Sequence, residues 1–184
     1  MTGSDRVQYI TSREGVPKEH RHHYHAIAES RGGVRGPFSV LLNSPELAGR
    51  IGHLGAYVRF EGELPDADRE LAILTTARAF DCAYEWAVHE PIARDAGVPD
   101  RTIDIVADSG AVDDLDDGER VVVEYGRELF ENHSVSDDTF DAAFDRFSES
   151  GVTELTGTMG YYAMLACALN AFAVSPKPDQ PELP

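Results

Sequence analysis

Residues 65–97 of this 184-residue chain read PDADRELAILTTARAFDCAYEWAVHEPIARDAG, and two consecutive helices are written into them. Pro65 and Asp66 signal a helix start, and Ile73, Leu74 and Ala77 recur at the spacing of a buried helical stripe, carrying the helix to about Phe80. Asp81 reads as the cap of a second helix that runs toward Gly97, with Pro99 behind it. Pro91 falls inside this second helix, where its missing backbone donor either kinks the axis or divides the segment. The pair is expected to form an antiparallel hairpin about the turn at Phe80 and Asp81.

Helix signals continue on both sides. A first helix is expected from about Lys18 to Ser30, closed by Arg31, Gly32 and Gly33. Ser44 and Pro45 open another, with Leu47, Ile51, Leu54 and Val58 on one stripe and a stop near Glu61 and Gly62. Further helices follow from about Pro99 to Asp108, from Gly118 to Asn132, and after Ser136 as far as Gly151. The last, from about Val152 to Val174, is apolar nearly all round, as befits a helix buried in the domain or at a subunit interface. No alternation of apolar and polar residues is long enough for a strand. The expected fold class is all-α: an N-terminal extension at 1–17, a single domain over 18–174, and a disordered tail at 175–184, where four residues of ten are proline.

The hairpin also carries the chemistry. On a helix starting near Cys82, residues three, four and seven apart share a face, so Cys82, Glu85 and His89 form one stripe, with Trp86 beside them and Tyr84 pointing away. Glu70 lies on the apolar stripe of the preceding helix, and a carboxylate there requires a partner. At ~1.5 Å of rise per residue, Glu70 sits roughly 15 Å below the turn and His89 roughly 10 Å below it. His89 is thus the nearest polar group to Glu70, and the expected order is a proton relay: Glu70, His89, Glu85, Cys82. A desolvated Glu beside an imidazole holds a general base in one tautomer. Cys82, in the first helical turn, meets the positive end of the helix dipole, which favours thiolate, while Glu85 on the same face opposes it.

Composition bounds the rest. Acidic residues number 33 against 16 basic ones, for a net charge of −17, and only Lys18 and Lys177 are lysines. This pattern suits a carboxylated, hydrated surface in concentrated salt, and the acid runs Asp113, Asp114, Asp116, Asp117, Asp137 and Asp138 read as solvated surface. It argues against nucleic acid, whose phosphates need a basic face. There is no apolar run of membrane-spanning length and no secretory pattern over Met1 to Val16, so a cytoplasmic protein is expected. Two cysteines, Cys82 and Cys167, make no disulfide framework, and Cys167 reads as a buried small hydrophobe. His20, His22, His23 and His25 offer two imidazole pairs, His22 with His25 and His20 with His23, but too few ligands for a site. They read as a solvated face. Neither a metal nor a cofactor is expected.

Glu70, Cys82, Tyr84, Glu85 and His89, with the segments Arg69 to Leu74, Tyr84 to His89 and Ala93 to Val98, resemble the active-site signature of the carboxymuconolactone decarboxylase and alkylhydroperoxidase D (AhpD)-like superfamily. Gly36-Pro37-Phe38 and Asn43 to Ala48 are similar to its lead-in, and the likeness covers about Tyr24 to Asp104. The resemblance implies an all-α AhpD-like helical bundle that assembles as a homo-oligomer, trimer or hexamer, with the site near a subunit interface. AhpD-type peroxidases carry a Cys-x-x-Cys pair, whereas position 85 here is Glu, so a local dithiol cycle is impossible. What remains is peroxiredoxin-like, one-cysteine hydroperoxide reduction at Cys82, with an external thiol reductant or Cys167 restoring the thiol. The alternative is decarboxylase or lyase chemistry by acid and base on a small cyclic carboxylic acid such as a carboxymuconolactone. A non-catalytic oligomeric module on the same fold is the third possibility.

Overall fold

Proline and glycine punctuation sets the element boundaries in the computed structural model, which describes residues 6–184; the first five residues of the expected N-terminal extension lie outside it. The helices are α1 (Arg21–Arg31), α2 (Pro37–Leu41), α3 (Pro45–Ala56), α4 (Asp66–Ala79), α5 (Ala83–Asp95), α6 (Asp100–Ala107), α7 (Asp117–Glu131) and α8 (Asp137–Ala171). Among the described residues there is no strand, and no helix is long and apolar enough to cross a membrane. The fold is all-α.

The chain divides into two compact units, one comprising the chain up to Gly62 with Cys167–Ser175, the other Glu63–Ala166 with Pro176–Pro184. In the first, α1 and α2 pack on α3, burying Ile27, Phe38, Val40, Leu42, Ala48 and Ile51. α3 passes into a π-helical turn, Tyr57–Glu61, which ends at Gly62 as expected. The exposed large apolar residues here are Leu47, Leu54, Tyr57 and Phe60, the last 58% exposed. Cys167 is exposed, not a core filler, because it occupies a solvent-facing position of the last turns of α8.

In the second unit α4 packs against α5, α6 and α7, and its core holds Leu71, Leu74, Trp86, Ile103, Val122, Leu155 and Met159. α4 is buried along most of its length, which is why its stripe reads as broadly apolar. Asp68 on it takes two hydrogen bonds from the Arg146 guanidinium, at 2.8 and 2.9 Å. The break expected at Gly151 falls at Ser148, where φ 64°, ψ 176° interrupts the long α8 run.

Pro91 neither ends α5 nor splits it; the helix continues through it. The carbonyl that Pro91 cannot bond is that of Ala87, four residues earlier and fully buried. The Gln180 side-chain amide donates to it at 3.5 Å. Residues 175–184 carry neither helix nor strand, yet Pro184 O accepts from Arg78 at 3.2 Å and Leu183 packs on the core.

Candidate active site

The turn between α4 and α5 positions the site. Asp81 adopts a left-handed conformation, φ 47°, and two bonds close the end of α4: Cys82 N to Ala77 O at 2.8 Å and Asp81 N to Arg78 O at 3.1 Å. This is the paired pattern of a Schellman stop with aspartate where glycine is commonest. A left-handed residue cannot begin the next helix, so Cys82 rather than Asp81 is the N-cap of α5, and Trp86 N bonds to Cys82 O at 3.1 Å. Cys82 thus stands one position ahead of the first turn. It is 0% exposed.

The reversal brings α5 back along α4, and their acid and imidazole meet. His89 Nδ1 donates to Glu70 Oε2 at 2.7 Å, and His89 Nε2 lies 3.4 Å from Glu85 Oε2, one helical turn nearer the cap. Glu70, Glu85 and His89 are 3%, 4% and 2% exposed. A buried carboxylate needs charge-assisted bonds, and the Arg69 guanidinium, with Nε 3.9 Å from Glu70 Oε1, supplies a cation beside it. Because Nδ1 carries the hydrogen given to Glu70, the proton this triad can exchange lies between Nε2 and the Glu85 carboxylate. That is the side facing the Cys82 end of the helix.

The hairpin therefore brings Glu70, His89 and Glu85 into one buried cluster, with Cys82 capping the helix that bears two of them. Sequence reasoning missed Tyr162 of α8, whose ring meets the His89 imidazole edge-on at 5.1 Å and the Tyr161 ring at 5.3 Å. A Tyr-Tyr pair in an otherwise small-residue helix was the available signal; nothing in it pointed to position 89. The cluster can hold one imidazole in a fixed orientation and pass a proton along its length. It is sealed by packing on all sides, so a reactant must be small or must enter by local opening.

The sequence profile of the Carboxymuconolactone decarboxylase family matches residues 45–128, which contain all four candidate residues. Over that stretch the chain resembles the carboxymuconolactone decarboxylase family. Solved structures share its fold at low identity. An uncharacterized peroxidase-related protein with an AhpD core from Ralstonia eutropha is 17% identical, with TM-score 0.74, over 97% of this chain and 94% of that one. A putative antioxidant defence protein AhpD from Agrobacterium tumefaciens, of unknown function, is also 17% identical, with TM-score 0.67, over 78% of this chain and 99% of its own. The debrominase Bmp8, as a cysteine-to-alanine variant in complex with 2,3,4-tribromopyrrole, is 14% identical, with TM-score 0.75, over 96% and 94%. No curated protein matches the sequence. The solved structures that share this fold thus range from peroxidase-related proteins to a debrominase.

Proposed function

We propose that this protein is a carboxymuconolactone decarboxylase/AhpD-like, one-cysteine, thiol-dependent peroxidase in which Glu70, His89 and Glu85 serve as a proton relay for Cys82. The observation that carries the reading is the imidazole held between two buried carboxylates, 2.7 Å from one and 3.4 Å from the other, on the helix that Cys82 caps. In the first step the Cys82 thiolate attacks the terminal oxygen of a hydroperoxide. The S–O bond forms as O–O breaks, the sulfur is oxidised to a sulfenic acid, and the relay delivers a proton to the departing alkoxide or hydroxide. An external thiol then condenses with the sulfenic acid, releasing water, and a second thiol frees Cys82 as a disulfide leaves. Complete burial of the sulfur favours hydrogen peroxide or a short alkyl hydroperoxide over a bulky one. Neighbours described as peroxidase-related and antioxidant support the same chemistry.

Glu85, standing where AhpD-type enzymes place a second cysteine, favours a second reading: a carboxy-lyase in which His89 and its acids protonate the carbanion left when a small cyclic acid loses carbon dioxide. Cys82→Ser separates the two. Peroxidase chemistry predicts that wild type gains one oxygen at Cys82 after brief peroxide exposure, read by intact and peptide mass spectrometry, and that Cys82→Ser has no hydroperoxide turnover. Full turnover in Cys82→Ser defeats the thiol reading, and a protein inert to peroxide with activity on a lactone acid replaces it. We also propose a homo-oligomer, with exposed Leu47, Leu54 and Phe60 as the apolar surface available for burial between copies.

A further inference from the structure

Away from the hairpin, in the first unit, the fold assembles a donor set that spacing alone does not. Sequence pairs His20 with His23; the structure adds Glu46, from the first turn of α3. His23 Nε2 lies 3.2 Å and His20 Nδ1 3.5 Å from the same oxygen, Glu46 Oε1, and all three donor atoms lie within 4.8 Å of one another. Both ring nitrogens are shielded from solvent and neither has a hydrogen-bond partner, so the approach to Glu46 is off the bonding direction. Two lone-pair nitrogens and one carboxylate oxygen converging without hydrogen bonds among them is an arrangement in which a proton is a poor filler and a cation a good one.

The spacing has a metric meaning. A tetrahedral zinc with bonds of about 2.0–2.2 Å to nitrogen and oxygen holds its donors roughly 3.3–3.6 Å apart. Of the three edges of this triangle, one, at 3.5 Å, already has that length and a second, at 3.2 Å, is just short of it. The ring of His23 is also held in place: a Cβ at Gly49, three residues after Glu46 on α3, would overlap the imidazole, so only glycine lets the ring lie against the helix backbone. His23 and Glu46 further line a cavity of about 600 Å³ with Ile27, Gly52 and His53.

We propose that His20, His23 and Glu46 form a binding site for a divalent transition-metal ion of the zinc class, with three protein donors and a fourth position left to water or a small anion from the cavity. The site is distinct from Glu70, Glu85 and His89 and needs neither Cys82 nor its reaction. His20 and Glu46, with side chains 34% and 57% exposed, are accessible to an incoming ion, whereas His23, at 17%, is the buried anchor.

The test uses the full-length protein, stripped with chelator and titrated with zinc chloride by calorimetry, with cobalt(II) as a spectroscopic probe. One ion per chain is expected, with the intense visible bands of four-coordinate cobalt. His23→Gln and Glu46→Gln should each weaken binding tenfold or more. Gly49→Ala should do the same with every donor retained, because it displaces the His23 ring. His22→Gln and His25→Gln should leave the stoichiometry and affinity unchanged. Circular dichroism of each variant reports folding, and the exposed Glu46 offers a substitution that leaves the core intact. Absence of zinc binding to wild type, or one-to-one binding that survives both His23→Gln and Glu46→Gln, overturns the proposal.

Discussion

Replacing Glu70 with glutamine keeps the shape of the side chain and removes its charge, and so asks what the buried acid contributes. The His89 Nδ1 to Glu70 Oε2 distance of 2.7 Å is that of a charge-assisted bond. A hydrogen bond to a charged group is worth ~1.5–3 kcal/mol net. Glutamine still offers one acceptor oxygen to Nδ1–H, and Arg69 keeps its 2.7 Å contact with Asp66, so the loss belongs at the low end, ~1.5–2 kcal/mol. For a chain of this size that lowers Tm by about 3–8 °C. With a neutral amide in place of the carboxylate the imidazole is a weaker base, and the rate of Cys82 oxidation by peroxide should fall tenfold or more. Thermal unfolding by circular dichroism gives the first quantity, and a mass-spectrometric time course of Cys82 sulfenylation gives the second. A variant that melts and oxidises like wild type refutes both the coupling and the relay. One that melts lower yet oxidises at the wild-type rate leaves Glu70 as a structural acid and refutes the relay alone.

Three further outcomes are expected. Glu128 accepts from Ser136 N at 2.6 Å and Thr139 Oγ1 at 2.7 Å, and these bonds, the backbone one foremost, hold its carboxyl below the usual value. Its stabilisation is therefore complete above the unfolded carboxyl range and fades as pH falls toward the lower folded value. Glu128→Gln should cost about 0.5–1 kcal/mol near neutrality and flatten the acid limb of the urea midpoint plotted against pH. At Gly126, a Cβ would fall 2.7 Å from Thr75 Cγ2 and 3.0 Å from Met159 Cε, so Gly126→Ala should overpack the core by ~1–3 kcal/mol. Helix propensity returns about 1 kcal/mol of this, leaving a Tm drop of a few degrees by calorimetry. Cys167→Ser, at an exposed position, should change stability by less than about 0.5 kcal/mol and leave peroxide oxidation of Cys82 unaltered in a thiol-labelling assay.

The hairpin was legible because helical rise is a ruler: counting from the turn placed Glu70 opposite His89, and the two are bonded. Its capping was not, since aspartate reads as an N-cap by composition, and only the left-handed φ of Asp81 shows that it ends α4 and passes the cap to Cys82. The all-α class followed from helix signals that local residues set. Tyr162 was invisible for the opposite reason, as its contact with His89 depends on how α8 packs, which no spacing within one helix encodes. Cys167 was misjudged because an apolar helix still has a side facing water. Glu46 joined His20 and His23 only through packing of α3 on α1, a relation between residues more than twenty positions apart.

The proline within α5 ties the two ends of the second unit together in time. Its orphaned carbonyl finds a donor in the segment that follows α8, at Gln180. The helix bearing Glu85 and His89 thus completes its bonding only when the segment after α8 folds back on it, and Gln180→Ala would return the Ala87 carbonyl to its unbonded state.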